Sequence, residues 1–160
     1  MRGQMTMESD RNFAGIANNI ESADGQAMQH FMSQSPWSEQ GVYEQIQAEI
    51  KEKPELQTSG LLILDEYADE KSGIKSAGAL RQYNGRMGKI DECQVGVALG
   101  YVNWKLQPWP LWALVDAEIF LPEAWFGDAY SELRQKVGVP TERKAFETKP
   151  ELGLKMIRRA

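Results

Sequence analysis

Leu61-Leu62-Ile63-Leu64-Asp65-Glu66 is the stretch on which the reading of this 160-residue chain turns. Four consecutive aliphatic residues predict a strand buried on both faces, and the acidic pair predicts its end. Before it the sequence is polar and helical. Phe13, Ile16, Ala17 and Ile20 recur at helical spacing. Asp24 is an N-cap for a second helix with Ala27, Met28, Phe31 and Met32 on one face. Ser35-Pro36 breaks that helix, and Trp37 is expected to plug into whatever the helices pack against. Val42, Ile46 and Ile50 mark a third helix that Lys53-Pro54 ends, giving a small three-helix bundle.

After the acidic pair, Gly73, Gly78, Gly85 and Gly88 suit an open hairpin or loop. Cys93 to Val102 alternates at period two and predicts a second strand. Trp104 to Pro110 reads as a turn, and Leu111 to Leu121 as a third strand closed by Pro122. Thr148-Lys149-Pro150-Glu151 has the spacing of a capping box, opening a helix with Leu152, Met156 and Ile157 on its apolar face. The fold class expected is α+β: a helical segment over 1–57, then an antiparallel three-strand meander plus helix over 58–160. A chain that stops at Ala160, three turns into a helix, reads as truncated.

Composition narrows the function. Hydrophobic residues make up 42% and charged residues 26%, ordinary values for a globular chain. No apolar run approaches the ~20 residues that cross a bilayer, and Met1 to Arg11 lacks the apolar segment of a signal peptide. A cytoplasmic location follows as the expectation. One cysteine, Cys93, forms no internal disulfide, and its alternating surroundings make it a core residue. His30, the single histidine, has no nucleophile or second ligand near it in sequence, and no phosphate-loop or dinucleotide fingerprint occurs. The net charge of −5 lies entirely in residues 1–60, which hold 4 Lys/Arg against 9 Asp/Glu. Residues 61–160 balance at 14 against 14, and no acid falls between Lys71 and Ile90. Lys71, Lys75, Arg81, Arg86 and Lys89 therefore form a local basic stretch that could face phosphates or simply be solvated.

Asp65 is the leading candidate for chemistry, because a carboxylate fixed by a strand yet open to solvent suits metal ligation. Asp69 and Glu70 lie close in sequence, and a small metal-dependent hydrolase built on Asp65, Glu66 and Asp69 is an alternative. Asp116 and Glu118 share one face of the third strand, where they either pair with Arg or Lys or face solvent. Trp104, Trp109 and Trp112 could stack on bases or belong to core or interface.

The run Ser76-Ala77-Gly78-Ala79-Leu80-Arg81-Gln82-Tyr83-Asn84-Gly85-Arg86-Met87-Gly88-Lys89, leading into Cys93-Gln94-Val95-Gly96-Val97, resembles the segment after the first catalytic aspartate of IS701-like, DDE-type DNA transposases. Gln29 to Trp37 is similar to that family's helical N-terminal region. Val115 to Trp125 resembles its third strand, and Phe146 to Leu152 the helix that follows. The resemblance implies a ribonuclease-H-like catalytic domain, partial here, and an Asp-Asp-Glu triad holding two divalent ions, normally Mg²⁺. By position Asp65 matches the first aspartate, as catalytic residue and metal ligand. The family's second aspartate and its glutamate would fall beyond Ala160. Tyr67-Ala68 departs from the Ser/Thr-Gly that usually follows the acidic pair. The implied partners are transposon-end DNA and a second copy or an intact transposase, in a bacterial, nucleoid-associated setting. The implied function is DNA transposition by a chain inactive alone. A non-catalytic, transposase-derived binding or regulatory protein is the second reading.

Overall fold

The computed structural model describes residues 12–20, 24–73 and 75–160. The reading of Met1 to Arg11 therefore lies outside the described residues. Contacts divide the chain into two compact units, 1–38 and 39–160. In the first, α1 (Phe13–Asn19) begins at Asn12, whose side chain accepts the Gly15 N–H at 2.8 Å. Asp24 caps α2 (Gly25–Gln34) as its sequence context predicts, accepting the Gln26 N–H at 2.8 Å. Trp37 is not plugged into a core; its ring stacks on Phe31 with centroids 6.4 Å apart. The third helix, α3 (Glu39–Lys51), groups with the sheet unit, where the side chain of Gln47 donates to the Val115 carbonyl at 2.8 Å.

The sheet unit has four antiparallel strands: β1 (Leu61–Glu70), β2 (Leu80–Asn84), β3 (Lys89–Asn103) and β4 (Leu111–Ile119). All pairing runs through β3. Cys93 faces Glu70 of β1 on one edge and Leu80 of β2 on the other, and further along Val97 faces Glu66 and Glu118. β2 and β4 thus share one edge of β3, and β1 takes the opposite one. The short α4 (Ser131–Lys136) precedes α5 (Lys149–Arg159), which has the expected capping box: Glu151 accepts the Thr148 N–H at 2.7 Å, and Thr148 accepts the Glu151 N–H. No described helix is long and apolar enough to cross a membrane.

Three features depart from expectation. β1 does not end at the acidic pair but continues to Glu70, so Asp65 sits in mid-strand. Nor is β1 buried on both faces: Leu61 to Leu64 are each 40–50% exposed. The reason is positional. Among the described residues β1 pairs only with β3, so it forms an edge of the sheet. The glycine-rich stretch also contains a strand, β2, ending in Asn84, whose side chain accepts the Arg86 N–H and closes the hairpin.

The core lies between the sheet and α5. Leu152 and Met156 meet Val97, Leu99 and Tyr101 of β3, with Leu56 and Val115 completing the cluster. The Tyr101 hydroxyl donates to the Leu56 carbonyl at 2.6 Å, pinning the turn before β1. Gly153 lets α5 sit close, since a Cβ there would stand 2.3 Å from a Leu64 methyl. A bulge at Leu99/Gly100 leaves Val115 as an extra residue in β4. That slip places Asp116 opposite Leu99 and Glu118 opposite Val97, on the α5 face. Asp116 is fully buried, and Arg159 of α5 answers it with a two-pronged ion pair, its Nη2 donating at 2.8 Å and its Nε also engaged. Glu118 lies 3.4 Å from Arg159 and 3.6 Å from Arg143.

Arg159→Ala strands a buried carboxylate and is expected to cost about 3 kcal/mol. Asp116→Leu combined with Arg159→Met should restore most of that loss, and urea unfolding of the three chains measures both effects. Gly78 has φ +71°, and a Cβ there would lie 2.5 Å from the Phe120 carbonyl oxygen. Gly78→Ala should therefore lower stability by about 2–3 kcal/mol, combining left-handed strain with a backbone clash. The same unfolding experiment reads it.

Candidate functional site

Asp65 pairs across the ladder with Ala98, while Glu66 pairs with Val97, whose side chain belongs to the core beneath α5. Successive strand residues point to opposite faces. Asp65 therefore stands with Ile63 and Tyr67 on the open face, and Glu66 turns toward α5, where Lys149 holds it in an ion pair. The two carboxylates expected to end a strand together diverge. Asp65 is exposed, and its Oδ1 accepts the N–H of Glu66 at 2.8 Å. It makes no ion pair among the described residues.

Its acidic neighbours are already engaged. Asp69 is bonded to Lys71 at 2.6 Å, and that hydrogen bond holds its carboxyl below the usual range. Glu70 lies 3.9 Å from Arg86 at the hairpin turn. No group of three His, Cys, Asp or Glu among the described residues could hold a metal ion. The hydrolase centre of Asp65, Glu66 and Asp69 is accordingly not assembled, and the residues present do not by themselves fit a two-metal site. Beside Asp65 runs a groove of about 460 Å³ lined by Glu66, Tyr83, Gly85 and Arg86. It places one free carboxylate near one guanidinium and an aromatic ring.

The basic stretch divides on inspection. Lys71 is neutralised by Asp69, and Lys89 by Asp91 at 2.6 Å, a hydrogen bond that raises the Lys89 pKa and lowers that of Asp91. Arg86 is loosely shared with Glu70. Lys75 and Arg81 are exposed and make no ion pair among the described residues. They are the two side chains of the five most available to an external phosphate. Lys149 was not foreseen from sequence; it joins Glu66 from 83 positions away and sits over the Phe120 ring at 5.4 Å.

The remaining candidates resolve as structure. Cys93 is free and fully buried, and burial pushes its thiol pKa up. His30 is exposed on α2. A second hollow, about 490 Å³, is bordered by Glu118, Arg143 and Arg159, but these charges serve one another. Trp125 is fully buried with its indole N–H on the Ala79 carbonyl, whereas Trp104, Trp109 and Trp112 are exposed.

No curated protein and no solved structure matches the chain. One family does, and its match runs over residues 1–160. On that full-length correspondence, the chain belongs to the DDE superfamily endonuclease family.

Proposed function

We propose that the chain serves DNA transposition of the IS701-like kind, contributing Asp65 as the first carboxylate of a DDE-type site for strand cleavage and transfer. The observation that carries this reading is the family match over residues 1–160. Two features of the fold support it: Asp65 is rigidly placed in β1 yet free of ion pairs among the described residues, and Lys75 and Arg81 are open to phosphate. The implied substrate is duplex DNA at transposon ends, and the implied ion is Mg²⁺. Two metals about 3.5–4 Å apart need more than one carboxylate. The described residues gather no second and third acid around Asp65. Cleavage therefore requires further carboxylates, and this chain alone is inactive.

A second reading rests on a different observation. The outer edge of β1 has no strand partner among the described residues, and its aliphatic run is half exposed. Such an edge favours a non-catalytic role, associating with transposase subunits. Failure of the chain to co-elute with an intact family member would count against it.

Incubated with supercoiled plasmid and Mg²⁺ or Mn²⁺, the purified chain should leave the DNA intact. A metal-dependent nick that Asp65→Ala abolishes would overturn the incomplete-site reading. In duplex binding, Lys75→Ala and Arg81→Ala should each reduce the salt slope of log K by about 1. Lys71→Ala and Lys89→Ala, already neutralised by Asp69 and Asp91, should change it far less. Equal effects across all four variants, measured by fluorescence anisotropy over a salt series, would contradict this division.

A further inference from the structure

The sheet face opposite α5 carries two cross-strand rows of apolar residues. Leu61, Val102 and Trp112 stand side by side in one row, and Ile63, Gly100 and Leu114 in the next. Directly paired residues point the same way and alternate residues share a face, so both rows belong to one surface. Their large members meet solvent: Leu61 is 50% exposed, Ile63 49%, Leu114 41% and Trp112 76%. Between them the central strand contributes Ala98 and Gly100, so the floor along β3 lies low between two flanks of larger side chains.

At ~200 Å² for a whole indole and somewhat less for an aliphatic side chain, those fractions leave about 450 Å² of apolar surface. Single apolar residues in water need no explanation, but a contiguous patch of this size marks a contact site. It also matches the apolar share of a standard protein interface, ~800 Å² on each partner and ~60% non-polar.

Charge narrows the partner. Neither row holds a charged residue, and the first is Asp65, paired with Ala98 one row further on. A chain of net charge −5 repels its own copies over most of its surface. This neutral patch is where two copies can approach without setting like charges against each other. Shape agrees with charge, because large side chains flanking a low floor can interdigitate with those of a facing sheet. A patch that meets itself closes a two-fold pair.

We infer that the face formed by Leu61, Ile63, Trp112 and Leu114 is a self-association surface, on which a second copy of this chain seats its own identical face. This surface is distinct from the outer edge of β1. Contact runs through side chains of one parity and leaves the backbone groups of the edge unengaged. Asp65 stands at the margin of the contact on each copy.

Sedimentation equilibrium of the full chain from about 1 to 100 µM covers the weak end of the affinities that interfaces of this size reach. The native chain should move toward twice its mass of 18.1 kDa. Rising salt, which screens repulsion between the copies, should strengthen the association. Ile63→Lys and Leu114→Lys should each weaken it at least about tenfold, because an ammonium group would be buried between apolar faces. Leu62→Lys, on the same strand but paired with Tyr101 and turned toward α5, should leave it unchanged. All three positions are half-exposed, so each variant should keep the native circular dichroism spectrum. A chain that stays monomeric throughout overturns the inference, even if these residues bind an intact family member instead. Equal loss in Leu62→Lys and Ile63→Lys also overturns it, since pairing along the β1 edge would then join the copies. Association that salt weakens does the same, because charge pairs would be its source.

Discussion

Every strand of this sheet depends on β3 for its backbone partners. Its 15 residues pair with β1 along one edge and with β2 and then β4 along the other, so its inner stretch is satisfied on both sides. That constraint explains its composition. Cys93, Val95, Val97, Leu99 and Tyr101 are buried on the face that meets the helices, while Gly96, Ala98 and Gly100 keep the opposite face low. Tyr67 of β1 lies over Gly96, where a Cβ would stand 2.3 Å from its ring. The bulge opposite Gly100 then turns Asp116 inward, and the buried charge obliges α5 to end with an arginine in place.

What the sequence disclosed was local chemistry. The capping box at Thr148, the Asp24 cap and the period-two run after Cys93 rest on spacings of two or three residues, and each is present in the structure. For Asp116 and Glu118 the sequence leaves cationic partners and solvent both open, and the fold decides for Arg159 and Arg143. The exposure of β1 is not legible in the sequence, because a run of four aliphatic residues reads alike in a central strand and at an edge. β2 was hidden among glycines whose roles differ: Gly78 fits a left-handed turn against the Phe120 carbonyl, and Gly88 closes the hairpin.

The same limit applies to the candidate site. The acid-free interval between Lys71 and Ile90 suggested five available cations, yet the acids that engage three of them stand just outside it, at Asp69, Glu70 and Asp91. Pairing across strands and turns decides which charges remain to act on a ligand, and composition within a window cannot display it. Asp65 kept its carboxylate free for a related reason. Strand alternation sends Glu66 to Lys149 and turns Asp65 to the face opposite α5, where it makes no ion pair among the described residues.

The mixed character of β1 also governs how copies of the chain meet one another at high concentration. Its first four residues are aliphatic and, among the described residues, its outer backbone groups lack a partner strand, the pattern that templates intermolecular sheet growth. The second half carries Asp65, Glu66, Asp69 and Glu70. Two antiparallel copies joined symmetrically about Asp65 would set the Asp65 side chains of both copies directly opposite one another, and like charges so placed are destabilising. The acids act as gatekeepers at neutral pH, so that a segment with the makings of a fibril seed is kept from recognising itself.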